Sequence, residues 1–171
     1  MDREPNSRWA ESAPAAGMGE AAGFVFPQRG LGAALRHVHR LYIRLLQEHL
    51  AKRGLTVAQY LHLRILWEGD GLPQNEISHR LGIEKASSTG ALDALKADGL
   101  IRRVRDKTDR RRLLVFLSPK GEALRHTILP FAHQVAEVAA QGASEEELTT
   151  FFRTIDRMIT NLNQALGKAD R

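Results

Sequence analysis

The sequence predicts a mainly α-helical fold that contains one small β-hairpin. Two observations support this prediction. Apolar residues recur at helical spacing through most of the chain, whereas residues 100–117 change to short apolar and β-branched runs around a charged turn. With 171 residues, of which 43% are hydrophobic, the chain can bury one substantial core but is short for two independent globular domains. One folded unit is therefore expected.

Helix boundaries can be placed because capping residues precede, and glycines follow, most of the periodic segments. The six predicted helices span residues 31–54, 57–67, 74–81, 85–98, 119–142 and 144–166. Thr56 is the predicted N-cap of the second helix, and Ser118 is that of the fifth. Ser144 and Glu147 have the spacing of a capping box at the start of the last helix. Pro130 should kink the fifth helix.

The third and fourth helices form a recognisable pair. A short helix, a turn at Gly82 and a longer helix closed by Gly99 make the pattern of a helix-turn-helix. The strand candidates 100–105 and 112–117, with the tip 106–111 between them, add a hairpin, or wing. Residues 1–22 show no apolar period and are expected to form a poorly ordered arm.

Composition limits the classes of function. The formal net charge is +5 and the sequence pI is about 10.0, which favours an anionic partner and leaves nucleic acid and anionic lipid both open. The absence of cysteine excludes disulfides, zinc ribbons and thiol redox sensing. No run of residues reaches the roughly 18 to 20 apolar residues of a membrane span, and the N-terminus lacks the pattern of a secretion signal. A cytoplasmic location is expected.

The stretch from Leu55 to Leu124 resembles the MarR family of transcriptional regulators. The matching pieces are LTVAQYLHLRILWE, QNEISHRLGIEKASS, LKADGLIRRVRDKTDRR and LLVFLSPKGEAL, in the order and spacing of that family. The resemblance implies a homodimer in which helices of regions 23–54 and 118–171 form a dimerisation domain, while 55–117 is a winged helix-turn-helix module. It also implies a near-palindromic DNA operator, and many members are repressors released by a small aromatic or phenolic anion.

Candidate DNA contacts lie on the third and fourth helices, where N-terminal residues of the second helix of such a pair usually meet base edges. They are Gln74, Asn75, Lys85, Ser87, Ser88 and Thr89. The spacing also puts Ser88 on the core side with Leu92 and Leu95. The hydroxyls could serve bases or phosphates, and Gln74 and Asn75 could bind phosphate or simply cap their helix.

Two outward residues of the fourth helix need a separate explanation. Gly90 costs about 1 kcal/mol relative to Ala inside a helix, so we expect its backbone to approach either DNA or a neighbouring helix closely. Asp93 would repel phosphates unless it accepts from a cytosine amino group or pairs with an arginine. Pairing with an arginine is the interpretation we prefer.

The wing carries the highest density of charge. Residues 101–112 hold seven basic side chains and two acidic ones, a net +5 equal to that of the whole chain. Such a hairpin beside a helix-turn-helix is expected to contact phosphates and the minor groove, with Arg110 or Arg111 inserted there. Asp109 matches the wing aspartate of the MarR family, which implies that it holds an arginine in place.

The resemblance implies a pocket for a small effector, an aromatic acid or phenol, which cations together with Tyr and His donors would suit. Candidate ligand residues are Arg36, His37, Arg40, Arg44, Tyr60, His62, Arg64, His126 and His133. Each could equally be an exposed arginine, a core tyrosine or a histidine satisfied within the fold. The seven histidines show no strong ligand spacing, so neither a metal nor another cofactor is expected.

Three classes of function can be compared. A sequence-specific regulator is favoured by paired dimerisation helices and a single wing. A non-specific architectural DNA protein would also explain the basic wing and the small residues of the fourth helix. An enzyme is not expected, since the sequence has no Gly-rich phosphate loop, no nucleophile with a base at recognisable spacing and no metal–water motif. Ser87, Ser88 and Thr89 form a hydroxyl cluster without a neighbouring base.

Overall fold

A computed structural model describes residues 30–167 and confirms the mainly α-helical class with a small antiparallel sheet. The elements of this part of the chain are α1 (Leu31–Ala51), α2 (Val57–Glu68), β1 (Leu72–Pro73), α3 (Gln74–Arg80), α4 (Lys85–Ala97), β2 (Ile101–Arg105), β3 (Leu113–Leu117), α5 (Pro119–Ala140) and α6 (Glu145–Ala165). All six predicted helices are present, each ending within a few residues of its predicted bound. None of them is long and apolar enough to cross a membrane.

The chain divides into two compact units, Met1–Arg36 and His37–Arg171, where the sequence led us to expect one. The predicted arm, residues 1–22, lies outside the described residues. Of the first unit only residues 30–36 are described, and they open α1 with all side chains exposed. The second unit contains the remaining elements. The predicted domain boundaries at residues 54/55 and 117/118 stay predictions.

Side-chain caps fix the helix starts as the sequence predicted. Ser144 and Glu147 form the expected capping box at α6. Thr56 caps α2, and Gln59 completes a capping box there by accepting from the Thr56 backbone N–H at 2.9 Å. Pro130 lies inside α5, which continues as one helix to Ala140.

The sheet has three strands in the order β1-β3-β2, one more than the predicted hairpin. The short strand β1 pairs Leu72 with Val115, while Val115 also faces Arg103 of β2. Asp70 supports this edge because its carboxylate accepts a hydrogen bond from the backbone N–H of Leu117 at 2.8 Å. A two-residue strand has no alternation of polar and apolar residues, so the sequence could not reveal it.

The core that positions the helix-turn-helix is built from α2, α3, α4 and β3. Its fully buried aliphatic side chains include Leu63, Leu66, Ile77, Leu92, Leu95 and Val115. Burying each such side chain stabilises the fold by roughly 1.5–3 kcal/mol. Since these residues come from four different elements, the core fixes the rotation of α4 about its axis.

A tight joint connects the start of α5 to α2 and to the residues before β2. The indole Nε1 of Trp67 donates to the carbonyl of Gly121 at 3.1 Å. A Cβ on Gly121 would collide with the carbonyl oxygen of Leu100. The backbone N–H of Ser118 donates to that same oxygen at 2.9 Å. Residue 121 is therefore glycine because helix and backbone touch directly.

Candidate DNA-binding surface

Helix α4 turns one side to the core and leaves the other open. Ser88, Leu92 and Leu95 are completely buried, as their spacing predicted. The opposite side is exposed and carries mostly small residues, namely Ala86, Ser87, Gly90, Asp93, Ala94 and Ala97. This smooth, exposed side is what a nucleic acid would meet.

The burial of Ser88 corrects its predicted role as a DNA contact. Its side chain has no exposed surface, and its hydroxyl lies 3.0 Å from Nε2 of His62 on α2. Nδ1 of His62 lies 2.7 Å from the carbonyl of Ala58, which can only accept, so Nδ1 carries the proton and Nε2 accepts from Ser88. Ser88 thus anchors α4 to α2 from inside.

The same geometry removes His62 from the predicted ligand residues. Its ring is buried and both nitrogens are bonded within the protein. Burial lowers the pKa of His62, because the charged ring loses its hydration, and the hydrogen bond to Ala58 opposes this only in part. A neutral, fully bonded histidine is a structural residue.

Helices α3 and α4 are tied together by two of the predicted DNA contacts. Gln74 donates through Nε2 to the Thr89 hydroxyl at 2.8 Å, and this hydroxyl donates to the carbonyl of Lys85 at 2.9 Å. Gln74 is the first residue of α3 and makes no cap for it. Lys85, Ser87 and Asn75 remain exposed. These three side chains are therefore free to reach DNA, while Gln74 and Thr89 also set the angle between the helices.

Asp93 pairs with an arginine, as we expected, and its partner is Arg103 on β2. Asp93 Oδ1 and Arg103 Nη1 are 2.6 Å apart. The arginine side chain is only 14% exposed, whereas that of the aspartate is 59% exposed. The ion pair therefore links the wing to α4 and leaves a carboxylate on the open side of the helix.

The wing tip is held in shape by its own side chains. Asp106 accepts from the N–H and the hydroxyl of Thr108 at 2.8 and 2.7 Å, and the backbone bond from Thr108 lowers the pKa of Asp106. Asp109 accepts from the backbone N–H and Nε of Arg111 at 3.0 and 3.3 Å, the contact that its predicted role requires. Arg105 donates to the carbonyl of Arg110 at 2.9 Å.

These contacts leave cations facing outward. A groove of about 430 Å³ is lined by Arg105, Asp106, Lys107 and Arg110. Nearer the sheet, the guanidinium of Arg102 lies over the Phe116 ring, 4.4 Å from its centroid. The three cations against one carboxylate make the groove a suitable place for a phosphate group.

The remaining predicted ligand residues are scattered over α1, α2 and α5. Tyr60 is buried, and the exposed Arg64 follows it four residues later on α2. Burial raises the pKa of Tyr60, and the charge of Arg64 offsets part of that rise. Arg40 donates to Nδ1 of His37 at 3.0 Å. The residues with exposed side chains are Arg36, His37, Arg40, Arg44, Arg64, His126 and His133.

Sequence reasoning missed an aromatic cluster where α1 meets α5. His49 stacks on Phe131 with their centroids 5.8 Å apart, and the guanidinium of Arg53 lies 3.7 Å from the same ring centroid. His49 and Arg53 are four residues apart, so they lie on one side of a helical turn. That spacing was visible in the sequence, but the aromatic partner is 78 residues further along the chain.

Comparison with known proteins decides the family. The profile of the MarR family matches residues 55–113. The HTH-type transcriptional regulator TtmR of Methylorubrum extorquens is 36% identical over 138 residues, which covers 81% of this chain and 68% of TtmR. The chain belongs to the MarR family. It is therefore a transcriptional regulator that binds DNA. The winged helix-turn-helix that the family resemblance predicted is confirmed.

Two further proteins are similar to this chain over most of their lengths. The HTH-type transcriptional repressor NicR of Pseudomonas putida is 26% identical over 129 residues, covering 75% of this chain and 82% of NicR. The solved structure of BpsR from Bordetella bronchiseptica, whose DNA binding is regulated by 6-hydroxynicotinic acid, has 27% identity and a TM-score of 0.70. That comparison covers 75% of this chain and 97% of the BpsR chain.

Proposed function

We propose that this MarR-family regulator is a homodimeric repressor that binds a near-palindromic operator and is released by a small aromatic carboxylate or phenol. The observation that carries the DNA-binding part is the open side of α4 next to a wing with outward cations. Lys85 and Ser87 flank the start of α4, and Arg110 and Arg111 project from the wing tip with their side chains exposed. Helix α4 can thus enter the major groove while the cationic wing contacts the adjacent DNA backbone.

The apolar side of α6 supports the homodimer. No residue of α6 is buried, although Phe152, Ile159 and Leu162 share one side of it and are each more than half exposed. Exposed apolar area of this kind marks an interaction surface. Leu162→Glu should yield a monomer by sedimentation velocity. Asn161→Glu, which puts the same charge on the other side of the helix, should leave the dimer intact.

The release by an aromatic anion is supported by the two relatives and by one pair of residues. NicR is named as a repressor, and DNA binding by BpsR responds to 6-hydroxynicotinic acid. In this chain, Arg64 is an exposed cation four residues after Tyr60 on α2, and its Nε lies 3.7 Å from Oε1 of Glu68. An aromatic carboxylate would find a charge partner in the exposed Arg64. We assign the effector to the pair of Tyr60 and Arg64, with Arg40, His37, Arg36, His126 and His133 as further candidates.

Fluorescence anisotropy tests the proposal. A labelled duplex from the region upstream of the gene is titrated with protein, competed with unrelated duplex, and then titrated with a panel of aromatic acids and phenols. Specific binding should exceed non-specific binding by about 10³-fold or more. Binding that one compound reverses supports the repressor, and binding that no compound changes refutes the release mechanism.

Substitutions separate effector binding from DNA binding. Arg64→Gln should abolish the response to the compound while leaving operator affinity unchanged. Arg125→Gln is the matched control, because Arg125 is also an exposed arginine in an ion pair on a helix, with Glu122 at 3.7 Å. An Arg64 variant that responds like the control would place the effector elsewhere.

A non-specific architectural role is the second candidate. The observation in its favour is the small residues on the open side of α4, where Ala86, Gly90 and Ala97 offer no group to read bases. It predicts that unrelated duplex at equal mass removes all binding to the labelled duplex. The same competition experiment therefore decides between the two.

A further inference from the structure

One polar side chain stands out on the open side of α4. Asp93 projects there among Ala86, Gly90 and Ala97. A bare carboxylate facing DNA would be repelled by the phosphates. Its position is therefore unexpected for a DNA-binding helix unless the charge is compensated and the carboxylate is used.

Arg103 on β2 compensates the charge of Asp93 from the less exposed side. Arg103 contacts Asp93 with Nη1, and its other two guanidinium nitrogens, Nε and Nη2, are buried without a hydrogen-bond partner. An arginine guanidinium carries a positive charge and only donates hydrogen bonds. Asp93 is its single bonded partner among the described residues. The arginine therefore holds Oδ1 of the carboxylate in a fixed direction and neutralises it.

The second carboxylate oxygen, Oδ2, is left for another donor. Within residues 30–167, the Arg103 bond engages Oδ1 rather than Oδ2, and the aspartate side chain is 59% exposed. Because an aspartate side chain is short, Oδ2 reaches a base only if the helix comes close to the groove floor. Gly90, one turn earlier, permits that approach.

The protein itself does not require glycine at position 90. The backbone φ is not positive there, and apart from its chain neighbours and the backbone of its own helix, no atom of the described residues lies within 4 Å of the place that a Cβ would take. A close contact with a neighbouring helix of residues 30–167 is thereby excluded. The open space at Gly90 is consistent with the approach of DNA.

We infer that Asp93 determines operator specificity by accepting, through Oδ2, a hydrogen bond from a base amino group in the major groove, with Arg103 as its positioning residue. Cytosine N4 and adenine N6 are the amino groups exposed there. This inference rests on the proposed sequence-specific binding of an operator.

Asp93→Asn gives a sharp test because the arginine fixes the orientation of the new amide. A guanidinium only donates, so the Asn oxygen must face Arg103 and the Asn NH₂ must face the groove. The outward group changes from an acceptor to a donor. The variant should then lose the wild-type preference for a base amino group, and where the wild type prefers cytosine, which presents only a donor, it should favour a base with an acceptor by about tenfold.

The measurement is anisotropy with a set of operator duplexes that differ by one symmetric base pair each. Glu76→Gln is the control, because it removes one carboxylate charge from the exposed Glu76–Arg80 pair on α3. It should raise affinity for all duplexes alike and keep their ranking. A thermal melt of each variant checks that it is folded.

The outcomes are distinct. A changed ranking at one position supports the inference, whereas an Asn variant with the wild-type ranking overturns it and leaves specific binding intact. A wild type that ranks no duplex above another overturns the proposed specific function as well. If Asp93→Asn does not fold, Asp93→Asn combined with Arg103→Met removes the buried charge, and it should lose the wild-type preference at that position. Retention of the preference would refute the base contact.

Discussion

Replacing both arginines at the wing tip, Arg110→Ala with Arg111→Ala, should weaken DNA binding and make it less sensitive to salt. Each cation that neutralises a phosphate contributes about 0.9 to the slope of log affinity against log salt. Two cations per module therefore contribute about 1.8, and a dimer with two bound modules about 3.6. Between roughly 50 and 200 mM salt, the loss of affinity should shrink by about a hundredfold.

The structure also predicts which of Arg110 and Arg111 contributes more to the salt dependence of DNA binding. Arg111 is paired with Asp109 at 3.3 Å, so part of its charge is already compensated. Arg110 lines the cationic groove and has only its backbone carbonyl engaged, by Arg105. Arg110→Ala alone should therefore remove more of the slope than Arg111→Ala alone.

Anisotropy titrations at three salt concentrations measure the slope directly. The control is Arg153→Ala with Arg157→Ala, which removes the same charge from the polar side of α6. A slope that falls equally in both double variants would mean that net charge, not the wing, governs binding. A wing variant with the wild-type slope would refute the assignment of phosphate contacts to Arg110 and Arg111.

Three further predictions concern stability. Since the pKa of His62 lies below its ordinary value near 6.5, the unfolded chain binds more protons in that range, and stability present above about pH 6.5 should fall as the pH is lowered through it. His62→Gln should flatten this fall in Tm. Gly121→Ala should lower the free energy of unfolding by about 3 kcal/mol in urea denaturation, because the new methyl group collides with Leu100. Unchanged stability would contradict the direct contact between Gly121 and Leu100. Gly90→Ala should raise the free energy of unfolding by up to about 1 kcal/mol, and a lower value would mean that the protein does need glycine there.

The elements that could be predicted from sequence are those whose determinants are local. Ser144 and Glu147 identify the start of α6 because a capping box acts over three residues. Strand β1 could not be predicted, since its two residues are ordered by pairing with β3, more than 40 residues further along the chain. Long-range pairing of this kind leaves no period in the local sequence.

The candidate site shows the same division. The burial of Ser88 followed from helical spacing, yet its hydroxyl also suggested a DNA contact, and only the bond to His62 decides between these interpretations. For Asp93 the type of partner could be predicted, but which of the wing arginines it is could not. The alternation of side chains along β2 places Arg103 on the side of α4 and leaves Arg102 and Val104 exposed. The effector residues depend on how separate helices meet, which sequence alone does not specify.

Because of the direct contact at Gly121, motion at the far end of α5 is coupled to the backbone of Leu100 at its start. A 22-residue helix is about 33 Å long, so a rotation of about 5° at its start moves its far end by about 3 Å. Backbone touches backbone at Leu100, the Trp67 indole is bonded to the same glycine, and the Leu117 side chain packs against it, so little free space is left there to absorb motion. Any small displacement imposed on the end of α5 must either turn the strands of the wing with it or be taken up along the helix at Pro130, where one backbone hydrogen bond is missing.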